Sequence, residues 1–186
     1  MMRFRSSLIR RTRRFARHTN GGAGVEFILV MPFLFWAFMA LYVYFDGYRQ
    51  STVNLKAAYT ISDLISRETE AIDTAYINSM YSLHKMLTRA TSATTLRVSV
   101  VRWDADTSRY YLDWTESRGG VQDLTNAELV ELEDKLPTMP DNERVIVVET
   151  TNQFVPLFGI GMDTVSLDNF VFTRPRFAPQ VKWKTS

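Results

Sequence analysis

The sequence predicts an α+β fold: a long N-terminal transmembrane helix that continues into an amphipathic helix packed on a small antiparallel sheet of about four strands. Three observations carry this. Residues Phe27–Phe45, FILVMPFLFWAFMALYVYF, form a run of 19 without a charge. Apolar residues then recur at steps of three and four as far as Leu87. Beyond that the period drops to two, in short β-branched segments separated by turn chemistry.

The run at 27–45 is long enough for a bilayer. At 1.5 Å per residue it covers about 28 Å as a helix, close to the hydrocarbon thickness. Tyr42, Tyr44, Phe45 and Tyr48 crowd its far end, where tyrosines hold their rings in the interface and their hydroxyls in water. A buried core helix is disfavoured, because this run is apolar on every face and basic on one flank only. A cleaved secretory signal is disfavoured too: its apolar region is shorter and ends in small residues, whereas this one ends in bulky aromatics. A plain signal anchor stays open.

Charge is distributed unevenly. Residues 1–21 carry seven arginines (3, 5, 10, 11, 13, 14 and 17) and no acid, so removing them takes the balance from 22 − 20 = +2 to 15 − 20 = −5. A basic arm of this kind suits nucleic acid or membrane topology. Its place directly before an apolar span explains it by the positive-inside rule, with the N-terminus cytoplasmic and the remainder outside. No nucleic-acid partner is expected. The chain therefore divides into a basic cytoplasmic leader (1–21), a transmembrane helix (22–48), an amphipathic helix (49–92) and an extracytoplasmic α+β head (93–186).

Ile61, Leu64, Ile65, Ile72, Tyr76, Met80, Leu83 and Leu87 define the wet-and-dry face of the second segment. With no proline between 33 and 136, one helix from about Gly22 to about Ala90 is the simplest reading, loosened near Gly47 or around 70–74. TLRVSVVRW (95–103) and RYYLDWT (109–115) flank the turn-forming DADTS and predict a hairpin. LTNAELVELEDKLP (124–137) opens with Thr125 three residues before Glu128, a capping box, and predicts a helix ending at Pro137. RVIVVETTNQF (144–154) is apolar enough for a central strand, and VSLDNFVFTRPRF (165–177) predicts a fourth. Between them, FVPLFGIGM reads as a loop burying its apolar side chains, or else as a surface patch that meets a partner.

One carboxylate is out of place. Glu26 stands at the edge of the apolar run, where an unpaired charge costs several kcal/mol and marks a functional position. No base is close: Arg17 lies before HTNGG and Arg49 beyond the run. A new amino terminus at Gly22 would lie one helical turn from Glu26 and supply the missing charge. The other reading is a side chain that snorkels or stays protonated near the interface.

The residues GGAGVEF (21–27) resemble the prepilin-peptidase site of type IV pilins. The longer string GAGVEFILVMPFLF, with the basic leader before it, resembles the TadE-like minor pseudopilins of the tight-adherence (Flp/Tad) pilus system. The match covers about 30 residues, and RPRFAPQVKW (174–183) is also similar to the tail of such proteins. The resemblance implies cleavage between Gly21 and Gly22, pairing of Glu26 beside Phe27 with a terminal amine during assembly, and a helix kink at Pro32. It also implies the partners: the membrane, a prepilin peptidase, other pilin or pseudopilin subunits and the pilus assembly machinery, at the bacterial inner membrane with a periplasmic head. TadE-like and TadF-like members share this N-terminal pattern. Gly24 departs from it, where a residue such as alanine is expected, and weakens the helix locally by about 1 kcal/mol.

No catalytic, cofactor-binding or metal-binding residue is assigned. There is no cysteine and no GxSxG, HExxH or phosphate-loop pattern. His18 belongs to the leader, and His84 reads as a half-exposed helix residue. Asp104 and Asp106 lack the further ligands of a calcium loop. The expectation is a non-enzymatic pseudopilin without a cofactor or small-molecule substrate, supporting assembly of a pilus for adhesion or secretion. The alternative is an uncleaved single-pass protein whose head binds a ligand or envelope partner.

Overall fold

The computed structural model describes residues 22–184. It is α+β, with elements in the order α1 (Gly22–Ser66), α2 (Thr74–Thr88), β1 (Thr94–Asp104), β2 (Arg109–Arg118), α3 (Asn126–Glu131), β3 (Arg144–Phe154) and β4 (Val165–Thr173), and a single 3-10 turn at Glu133–Lys135 after α3. The chain divides between Tyr44 and Phe45 into two compact units, with α1 running from the first into the second. Of the first unit, the described residues 22–44 are helix throughout.

The second unit is built on a four-stranded antiparallel sheet in the order β2-β1-β3-β4. The two central strands hold the runs VSVV and VIVV, whose consecutive apolar residues need cover on both faces. They have it. On one face Leu96, Val98, Val100, Ile146 and Val148 pack with Ile61 and Ile65 of α1 and with Ile72, Ile77 and Val181. On the other, Val101, Val145 and Val147 pack with Leu124, Leu129, Leu136 and Met139. The small second layer explains why α3 exists: its capping box forms as the sequence predicts, with the Thr125 amide donating to Glu128 Oε2 at 3.0 Å and the Glu128 amide to Thr125 Oγ1 at 3.3 Å. The Thr125 amide, and after it the Thr125 hydroxyl donating to Glu128 Oε2 at 3.1 Å, hold the Glu128 carboxyl below its usual range. The helix is shorter than the predicted 124–137, giving way to the 3-10 turn before Pro137.

The expected single helix to Ala90 is corrected: α1 ends at Ser66 and the chain is non-helical until Thr74. The cause is tertiary. Ile72 pairs in parallel with Trp183, its amide donating to the Lys182 carbonyl and its carbonyl accepting from the Lys184 amide, both at 2.9 Å. Asp73 then caps α2, its side chain accepting the Tyr76 amide at 2.9 Å. Gly47 does not loosen α1; a Cβ there would lie 3.4 Å from the Phe154 ring, so the glycine admits that ring beside the helix. The α2 terminus is closed by Arg89 in the left-handed region, φ 50°, with the Ala90 amide reaching the Lys85 carbonyl at 3.1 Å.

The segment between β3 and β4 is irregular, and the buried-loop reading fails for part of it, since Val155 and Leu157 are exposed.

Candidate functional site

Gly22 and Gly24 lie in α1, and a Cβ on either would meet no described atom within 4 Å. Nothing inside this chain's described structure therefore calls for glycine at these two positions. Glu26 follows Gly22 by four residues, which is just over one turn and about 6 Å along the axis. Among the described residues no ion pair includes Glu26.

The side chains that follow are open to the surroundings: Phe27 is 62% exposed, Ile28 71% and Phe33 75%. Only 6% of the most apolar stretch is buried. Little of its apolar surface is covered by the described residues, and the helix is long and apolar enough to cross a membrane. Pro32 lies inside it, and the helix continues across it. The proline has no amide to donate to the Ile28 carbonyl, so one rung of the ladder is missing there. Gly21 and the arginine leader, including His18, lie outside the described residues. Gly22, Glu26, Phe27 and Pro32 thus lie on one helix, α1.

In the second unit several titratable residues are engaged structurally. Arg97 and Glu149, directly opposed on β1 and β3, form a two-pronged ion pair at 2.7 and 2.9 Å. That pairing holds the Arg97 guanidinium above its usual pKa. Asp104 accepts the amides of Asp106 and Thr107 at 3.0 and 3.2 Å and so shapes the β1–β2 turn. No group of acids and histidines among the described residues is arranged to hold a metal ion.

The polar seam behind α1 and α2 has no counterpart in the sequence reading. His84 is buried, not half-exposed, and neither ring nitrogen has a hydrogen-bond partner. Burial pushes its pKa down to about 4. Asn54 of α1 accepts from Asn152 Nδ2 at 3.1 Å, and Gln50 donates to the Thr88 carbonyl at 3.0 Å. A signal for Asn54 was present: it shares the i, i+3, i+4, i+7 stripe with Ala57, Ala58 and Ile61, and a lone amide on an apolar stripe marks a buried polar contact.

No known protein family, curated protein or solved structure matches this chain.

Proposed function

We propose that the protein is a TadE-like minor pseudopilin that supports assembly of a Flp/Tad-type pilus and carries out no catalysis. One observation supports this above the others: an exposed apolar helix carries Glu26, which has no ion-pair partner among the described residues, four residues after Gly22, where the resemblance places the new amino terminus. Cleavage at that bond creates an ammonium at Gly22. It pairs with Glu26 of the same chain or of a neighbouring subunit and removes the cost of a lone carboxylate beside hydrocarbon. The two glycines, which the chain's own packing does not require, suit a site where a protease must reach extended backbone and neighbouring helices must approach closely. The arginine leader stays in the cytoplasm, the span lies in the inner membrane, and the head faces the periplasm.

The test is the mature N-terminus, read by mass spectrometry of membrane-extracted protein made with and without the cognate prepilin peptidase. The expected result is a peptide beginning at Gly22 only when the peptidase is present. An intact leader in both samples overturns the proposal and leaves a simple anchor. Glu26→Leu is expected to leave cleavage intact and to abolish surface pili, counted by electron microscopy; a plain anchor tolerates the change.

A further inference from the structure

The two edges of the sheet are treated differently. At the β2 edge the Leu112 amide donates to Asn126 Oδ1 at 3.0 Å, α3 packs alongside, and the β1–β2 register shifts between Val100 and Val101. A side-chain cap, a covering helix and an irregularity are the devices that keep an edge from pairing with another chain. The β4 edge has none of them. Its register with β3 runs through nine consecutive pairs without a shift, and it contains neither proline nor lysine. Among the described residues no backbone bond reaches its outer side. Val165 and Phe172, at 41% and 43% exposure, leave apolar surface on this edge.

Charge points to what pairs with it. Exposed acids, Asp163 and Asp168, lie at and before the middle of the segment, and exposed bases, Arg174 and Arg176, lie after it. The arginines form in-chain pairs with Glu143 at 3.0 Å and Asp63 at 3.2 Å, yet both remain more than half exposed, so these are weak surface pairs. A segment acidic at one end and basic at the other is complementary to itself when reversed. We infer that β4 pairs antiparallel with β4 of a second copy of this chain, about a two-fold axis at Asn169, making one continuous eight-stranded sheet from two heads. This register sets Asp163 of one copy opposite Pro175 of the other, between its Arg174 and Arg176. Ser166 falls opposite Phe172. Parallel pairing in register would instead stack Arg174 on Arg174 and Arg176 on Arg176, which like-charge repulsion disfavours. The pairing depends on the head alone and stands whether or not the leader is cleaved.

The chain has no cysteine, so introduced thiols report without background. Directly opposed residues of an antiparallel pair have Cα atoms about 4.5–5.5 Å apart, within disulfide reach. Full-length Ser166→Cys and Phe172→Cys chains are co-expressed, extracted in mild detergent and gently oxidised. The expected product is a disulfide-linked dimer containing one of each chain, with neither variant alone cross-linking. Arg174→Glu introduced into both chains lowers that yield several-fold, and adding Asp163→Lys to both restores it. Absence of the mixed disulfide, equal cross-linking by each variant alone, or failure of the second charge change to rescue the first overturns the inference.

Discussion

His84 shows how one side chain can set the pH response of a fold. It is fully buried with both ring nitrogens unpartnered, and burial alone lowers its pKa from 6.5 to about 4. The folded state therefore resists protonation more than the unfolded chain does. The stability tied to neutral His84 is present above pH 6.5, declines as pH falls from there, and is fully lost below pH 4. A depression of this size corresponds to about 3 kcal/mol. Urea melts between pH 7 and pH 4 are expected to show that loss, and His84→Phe is expected to flatten the profile in this window. A variant with the same slope as the parent would place the effect on the carboxylates. Arg89 is a second residue whose backbone matters more than its side chain. A left-handed conformation costs an L-residue about 1–2 kcal/mol, while glycine adds about 0.5–1 kcal/mol of unfolded-chain entropy. Arg89→Gly is expected to raise stability by about 0.5 kcal/mol, measurable as a higher urea midpoint at unchanged slope.

At the scale of elements, what could be read in advance depended on whether the deciding forces were local. β3 was predicted at 144–154 and runs from Arg144 to Phe154, because its apolar run is bounded by turn chemistry on both sides. The hairpin and the capping box were equally legible, since each is set by residues only a few positions apart. The break after Ser66 was legible only in part: loosening around 70–74 was legible, a helix that stops at Ser66 was not. RETEAID contains good helix formers and neither glycine nor proline; what ends the helix is the pairing of Ile72 with Trp183, far away in the chain. The buried state of His84 was hidden for a related reason: helical period places it, but only the element packed over it decides exposure. At the candidate site, Gly22, Glu26, Phe27 and Pro32 stand out as a pattern in the sequence, and the structure adds that the helix carrying them is exposed there. Truncating the capping box is a local test of the same principle. Thr125→Ala is expected to cost about 1 kcal/mol and to loosen α3 with its buried Leu129, seen as faster amide exchange over Asn126–Glu131.

For the molecule as a whole, the two units call for different surroundings. The first presents apolar side chains outward, and the second encloses its own cores on both faces of the sheet. A fragment beginning at Phe45 retains every residue of both clusters. It is expected to be soluble and to unfold cooperatively, with coincident fluorescence and circular dichroism transitions, whereas the full chain needs detergent. Separated transitions would show that the head relies on the preceding span.

The stitch at the end of α1 has a mechanical side. The Ser66 carbonyl accepts the Arg176 amide at 2.8 Å, and Ile72 exchanges two bonds with Lys182 and Lys184. Tension carried along the backbone beyond α1 meets these three bonds before it reaches β1. The last stretch of the described chain is thus placed as a strain relief, as the clamp on a cable is, between the end of α1 and the first strand.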